Sequence, residues 1–200
     1  GLAIALLLNT GVKGIRFYRT AYYVPSIVPS VASTFLWVWI MTADDKRGLL
    51  NNLWSHTITQ WFGVASPGWL GVEPWAKPGL ILMGLWGAGG GMILWLAGLK
   101  GVPQTLYEAA EIDGASGWQQ FWKVTLPQLT PLIFFNSVMS FIGVLQTFDG
   151  VYLITRGENM GPNDALATPV YMLFKNGFAY FRMGYASALA WLIFAIVVAV

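Results

Sequence analysis

Three apolar stretches constrain this chain before anything else does: Val24–Thr42, Gly79–Leu99 and Leu129–Phe148. As helices rising about 1.5 Å per residue, each is long enough to cross roughly 30 Å of hydrocarbon. Leu2–Leu8 and Gly184–Val200 are further apolar runs at the two ends. The chain therefore reads as three complete spans and two partial ones, a fragment of a longer protein. Charge supports this, because only 10% of residues are charged against about 25% in an average soluble domain. So few charges cannot cover a water-facing surface. The expected fold is an all-α membrane protein, a polytopic helical bundle with residues 1–200 as one transmembrane domain.

Composition also excludes several chemistries. Without cysteine there is no disulfide framework, no thiolate zinc site and no cysteine nucleophile, and His56 is the single histidine. A net charge of +2 spread along the chain is not a nucleic-acid footprint. An intramembrane protease would need a Gly-x-Ser-x-Gly elbow with a membrane histidine, or paired membrane aspartates. Neither is present, since His56 falls in a loop and Asp149 stands alone. A channel or a secondary carrier stays open on composition.

Within the spans, Pro25 and Pro29 remove helix donors and predict a kink near the start of the first. The second carries Gly84, Gly87, Gly89, Gly90 and Gly91. No Gly-Lys-Ser/Thr follows, so this is not a phosphate loop. Close helix packing explains it, with Gly87 and Gly91 as a small-xxx-small pair.

Two long loops separate the spans on one side. In Asp44–Pro78, Leu50, Leu53, Trp54, Thr57, Ile58, Trp61 and Phe62 recur at helical spacing, with Asn51, Asn52, Ser55, His56, Thr59 and Gln60 opposite. That is an amphipathic helix for the headgroup region, anchored by tryptophan. Val151–Arg182 mixes turn residues with a short aromatic segment. Lys13, Arg16 and Arg19 lie in a short segment without acids, which favours the cytoplasmic side. Alternation then puts Lys100 and Lys123 inside, with Lys46, Arg47, Lys77, Arg156, Lys175 and Arg182 outside. The bias is one of charge density only.

The polar loop at residues 101–127 carries the chemistry. Pro103 suits a first helical position, and Gly114 suits the left-handed residue past a helix end. Ser116 with Gln119 forms a capping box for a second helix, whose apolar face is Trp118, Phe121, Trp122 and Thr125. Pro127 ends it. On the first helix, Glu108 and Glu111 are one turn apart, and Asp113 opposes the helix dipole. Ala109 and Ala110 between them are too small to hold off a partner's backbone. This is either a docking surface for a basic partner or a solvated acidic helix.

The string Glu108-Ala109-Ala110-Glu111-Ile112-Asp113-Gly114-Ala115, followed by Phe121, Val124, Leu126 and Pro127, closely resembles the EAA loop of bacterial ABC-importer permeases. Its Asp-Gly-Ala extension resembles the carbohydrate-uptake branch. Arg16 and Arg19 before a proline-containing span, Gly48 with Asn51 and Asn52, Phe148-Asp149, and Gly184-Tyr185-Ala186-Ser187-Ala188 follow the same pattern in order. The outer loop Thr155–Pro162 departs from it, being longer and divided where the family reads Thr-x-Gly-Gly-Pro.

The resemblance implies a type I importer transmembrane domain in the bacterial inner membrane, without catalytic residues of its own. ATP and Mg would belong to a cytoplasmic ATPase dimer. A second permease subunit would share the path, and an extracytoplasmic solute-binding protein would deliver a sugar, polyol or glycerol phosphate. Coupling to the ATPase falls to Glu108, Ala109, Ala110, Asp113, Gly114 and Pro127. Glu108 would pair with a basic groove residue, and Gly114 would shape the bend.

For the substrate path, intramembrane polar groups are the candidates. The third span offers Asn136 and Ser140 on one face, then Gln146 and Asp149 towards its end. Amide and hydroxyl groups suit a sugar. Interhelical hydrogen bonding is the alternative for Asn136 and Ser140, and capping for Asp149.

Overall fold

The computed structural model describes residues 1–9, 13–42 and 48–200, and no strand occurs among them. Lys46 and Arg47, placed outside above, lie beyond the described residues, as do Asp44 and Asp45 of the first outer loop. The helices begin with α1 (Leu2–Leu8), α2 (Ile15–Ile27), α3 (Ser30–Ile40), α4 (Leu49–Trp54) and α5 (Gln60–Phe62). They continue with α6 (Ala76–Trp86), α7 (Met92–Gly101), α8 (Gln104–Ile112), α9 (Gly117–Gln120) and α10 (Leu126–Gln128). The last are α11 (Thr130–Leu145), α12 (Asp149–Thr155), α13 (Pro169–Phe174) and α14 (Met183–Ala199).

Two of the expected spans are broken. The first divides at Pro29, which caps α3 with an extended ψ of 137°, while Pro25 is accommodated inside α2. The residue ahead of a proline is held out of the helical region, so the break falls at Val28–Pro29. The second divides at Gly87–Gly91, where turns replace helix between α6 and α7. With no side chains to pack, five residues of which four are glycine do not propagate a helix. The stretch Thr130–Thr155 is long and apolar enough to cross a membrane by itself, and α2 with α3 passes the same test as a broken pair. Among the described residues α7 and α14 are shorter apolar helices.

The chain forms two compact units. In the first (residues 1–27 and 87–141), Ala5 and Leu8 pack on Met92, Trp95, Leu96, Leu99 and Leu129. Glycine packing is real here at Gly89, Gly90 and Gly98, while Gly91 of the expected pair stands open. A Cβ on Gly89 would fall on the Tyr22 carbonyl oxygen, and one on Gly90 would meet Ser26 Cβ at 3.0 Å, whereas Gly91 has nothing nearer than 4.0 Å. Gly98 likewise admits Leu132, whose Cδ2 would lie 2.5 Å from an added Cβ.

In the second unit (residues 28–86 and 142–200), Ala76, Val151, Leu166 and Tyr171 form the core. Tyr171 is held by two hydrogen bonds, its hydroxyl donating to the Asn159 carbonyl at 2.7 Å and meeting Thr155 Oγ1 at 2.7 Å. Lys175 is buried and donates to the carbonyls of Gly157 and Glu158 at 3.0 and 2.9 Å. The amphipathic segment runs through α4, a π turn at Ser55–Thr59, and α5. Its Leu53, Trp61 and Phe62 are exposed, as an interfacial anchor requires. Asn51 is not on the polar outer face as expected: it is buried, and its Oδ1 accepts the Trp69 indole N–H at 2.6 Å. His56 is exposed and bonds the Asn52 carbonyl, a local contact within the helix.

Large apolar side chains point outward from the long helices, among them Phe134, Met139 and Val144 on α11 and Trp191, Phe194 and Val198 on α14. No water-soluble surface is built this way.

Candidate functional site

The loop at 101–127 lies wholly in the first unit. Pro103 sits one position earlier than expected, as the cap before α8. α8 ends at Asp113, and Gly114 follows with φ of +75°. The Gly114 N–H donates to the Glu111 carbonyl at 3.0 Å, and the Ala115 N–H to the Ala110 carbonyl at 2.9 Å. Together these make a Schellman motif, which satisfies carbonyls that a helix end otherwise leaves bare. Two residues later the capping box forms as expected. The Ser116 N–H donates to Gln119 Oε1 at 2.8 Å, and the Gln119 N–H returns to Ser116 Oγ at 3.4 Å.

Past α9 a π turn, Phe121–Thr125, leads into α10. Pro127 lies inside α10 and does not end the helix there; the break falls at Leu129. α10 follows the π turn without any break in helical backbone at Thr125 and Leu126. The Tyr107 hydroxyl lies 2.8 Å from Thr125 Oγ1 and so ties α8 to the π turn. Trp118, Phe121 and Trp122 pack on one another, yet Trp118 and Trp122 stay exposed, so that apolar face is turned outward.

A cleft of about 410 Å³ opens between the arms of this bend, with Ala109, Ala110, Asp113 and Gly114 on one wall and Gln119, Gln120 and Lys123 on the other. Glu108 and Glu111 do not line it; both are exposed. Ile112 joins them on the surface at 88% exposure, one turn along from Glu108. It stood in the motif without being singled out, and the signal was a β-branched apolar residue inside a polar loop.

The four residues expected along the substrate path are not brought together within either unit. Asn136 and Ser140 belong to the first, Gln146 and Asp149 to the second. Asn136 is half-buried, and its Nδ2 donates to the Leu132 carbonyl one turn back at 2.9 Å. That bond lies within α11. Ser140 is exposed one turn further along. Gln146 lies past the end of α11, and Asp149 opens α12, where a carboxylate suits the helix dipole.

An all-helical chain with apolar side chains turned outward and a hydrogen-bonded polar loop is an integral membrane component. The sequence model of the family described as "binding-protein-dependent transport system inner membrane component" matches residues 1–200, and the chain belongs to that family. It is thus a multi-pass inner-membrane protein.

Among its relatives, the probable ABC transporter permease protein YesP of Bacillus subtilis is 42% identical over 202 residues, which cover 98% of this chain and 61% of that protein. The trehalose/maltose transport system permease protein MalF of Thermococcus litoralis is 35% identical, over 98% of this chain and 63% of that one. The lactose transport system permease protein LacF of Rhizobium radiobacter is 34% identical, over 84% and 55%. The chain spans roughly three-fifths of the length of these relatives. Crystal structures of a bacterial alginate ABC transporter share the fold, with TM-scores of 0.73 and 0.74 at 20% and 21% identity. Each match covers 99% of this chain and 67% of the other. The fold is that of a type I ABC importer transmembrane domain.

Proposed function

We propose that the chain is the transmembrane domain of a permease subunit in an ATP-driven importer of a carbohydrate or a related polyol or glycerol phosphate. Residues 101–127 serve as its coupling loop. A cytoplasmic ATPase dimer binds and hydrolyses ATP with Mg, and this chain supplies no catalytic group. A second permease subunit completes the path, and an extracytoplasmic solute-binding protein delivers the cargo. The names of the MalF and LacF relatives, which specify disaccharides, support the carbohydrate reading.

The observation that carries the proposal is α8 itself. It projects Glu108, Ala109 and Ile112 outward from a bend fixed on both sides by hydrogen bonds. In this reading Glu108 meets a basic residue of the ATPase, Ala109 and Ala110 allow close approach, and Asp113, Gly114 and Pro127 shape the loop. Asn136, Ser140, Gln146 and Asp149 line the path at different stages.

The test is Glu108→Lys in the full-length permease. Charge reversal brings like charges together at the interface, which costs several kcal/mol. Insertion should persist while uptake and co-purification with the ATPase are lost. A stable, active complex from this variant refutes the coupling role. Substrate-stimulated ATP hydrolysis across a panel of solutes then identifies the cargo.

A further inference from the structure

We infer that the cleft between α2 and α7 is a binding site for an anionic phospholipid. Gly89 and Gly90, in the turn just ahead of α7, let the Tyr22 carbonyl and the Ser26 side chain of α2 come close. Away from that contact a cleft of about 420 Å³ remains, with Tyr23, Ile93 and Leu96 along its apolar wall and Arg19, Thr20 and Lys100 among its lining. Arg19 and Tyr23 are one turn apart on α2, and Lys100 is one turn beyond Leu96 on α7. The cleft is therefore amphipathic, with Arg19 in the N-terminal half of α2 and Lys100 near the C-terminal end of α7.

No carboxylate lines this cleft beside its two cations. Residues 1–27 contain no acid, and residues 87–141 contain only Glu108, Glu111 and Asp113, all in the docking loop. Arg19 donates through Nη2 to the Leu8 carbonyl at 2.7 Å, which fixes the guanidinium, while its buried Nε–H has no acceptor. A guanidinium fixed in the wall of an apolar cleft, beside a second cation and without a carboxylate, favours an anion there. A phosphate diester supplies the charge, and its acyl chain fits the apolar wall, which a free phosphate would leave bare. Basic pockets between spans take anionic headgroups on these grounds.

Native mass spectrometry of the full-length permease in its complex tests this, after equilibration in micelles holding equal palmitoyl-oleoyl phosphatidylglycerol and phosphatidylcholine. Wild type should retain phosphatidylglycerol preferentially. Lys100→Gln should weaken retention roughly five-fold, and Arg19→Gln with Lys100→Gln roughly twenty-five-fold. Lys77→Gln, an exposed cation of the second unit, should change nothing. Arg19 also holds Leu8, so the double variant can lose assembly; exposed Lys100 keeps the test decisive. Equal retention of the two lipids, undiminished retention by Lys100→Gln, or displacement of the lipid by soluble glycerol phosphate each overturns the inference.

Discussion

Substitution of Gly114 separates backbone conformation from packing at the bend between α8 and α9. Its φ is +75°, and a Cβ built there would find nothing within 4 Å. Steric crowding therefore contributes nothing, and the whole penalty is that of a left-handed backbone. For alanine this is about 1–2 kcal/mol, a shift of roughly five- to thirty-fold against the bent form. Valine adds a stiff β-branch and exceeds that. Asparagine, which tolerates the left-handed region, should stand close to glycine. With the full importer in proteoliposomes, uptake of substrate per ATP hydrolysed should fall at least ten-fold for Gly114→Val and several-fold for Gly114→Ala. Gly114→Asn should stay near wild type. Hydrolysis itself should persist, because the loop is misaimed and not removed. If asparagine damages coupling as much as valine, side-chain bulk at a partner surface is the cause and the backbone argument is wrong. Normal uptake by the valine variant would refute the bend outright.

Two further outcomes follow from the geometry. Asn136→Leu removes an amide that bonds only within its own helix, so the thermal stability of the complex should hold while substrate stimulation of ATP hydrolysis drops; lost stability with unchanged stimulation would take Asn136 off the transport path. Lys175→Met strips two partly exposed loop carbonyls of their donor, at about 1–2 kcal/mol once water replaces part of the contact, so hydrogen exchange at residues 157–160 should accelerate, and unchanged exchange there would show that Lys175 does not secure the loop.

The sequence disclosed the loop better than the spans. Gly114 and the Ser116–Gln119 pair act through local backbone geometry, which a few neighbouring residues determine, and both formed as read. The break at Pro29 falls where the two prolines predict a kink, but the one at Gly87–Gly91 was harder, because a hydropathy window averages over residues and registers apolarity whether or not the helix continues. Asn51 was misplaced for a different reason. Its partner, Trp69, lies eighteen residues on, and helical periodicity carries no information about such a contact. The candidate path residues share one apolar stretch in sequence, yet they divide between two units because the boundary crosses α11.

The Tyr107–Thr125 contact gives the loop at 101–127 a mechanical character. Two short helices joined by a glycine would ordinarily form a loose joint that absorbs a push by flexing. Here the Schellman bonds lock one arm, the capping box locks the other, and the tyrosine braces them across the gap. A displacement applied to α8 therefore arrives at Thr125 with little slack, and Thr125 is followed directly by α10 and α11. The loop is built as a bracket and not as a tether, with α8 joined by a side-chain hydrogen bond to the residue that precedes the foot of the span.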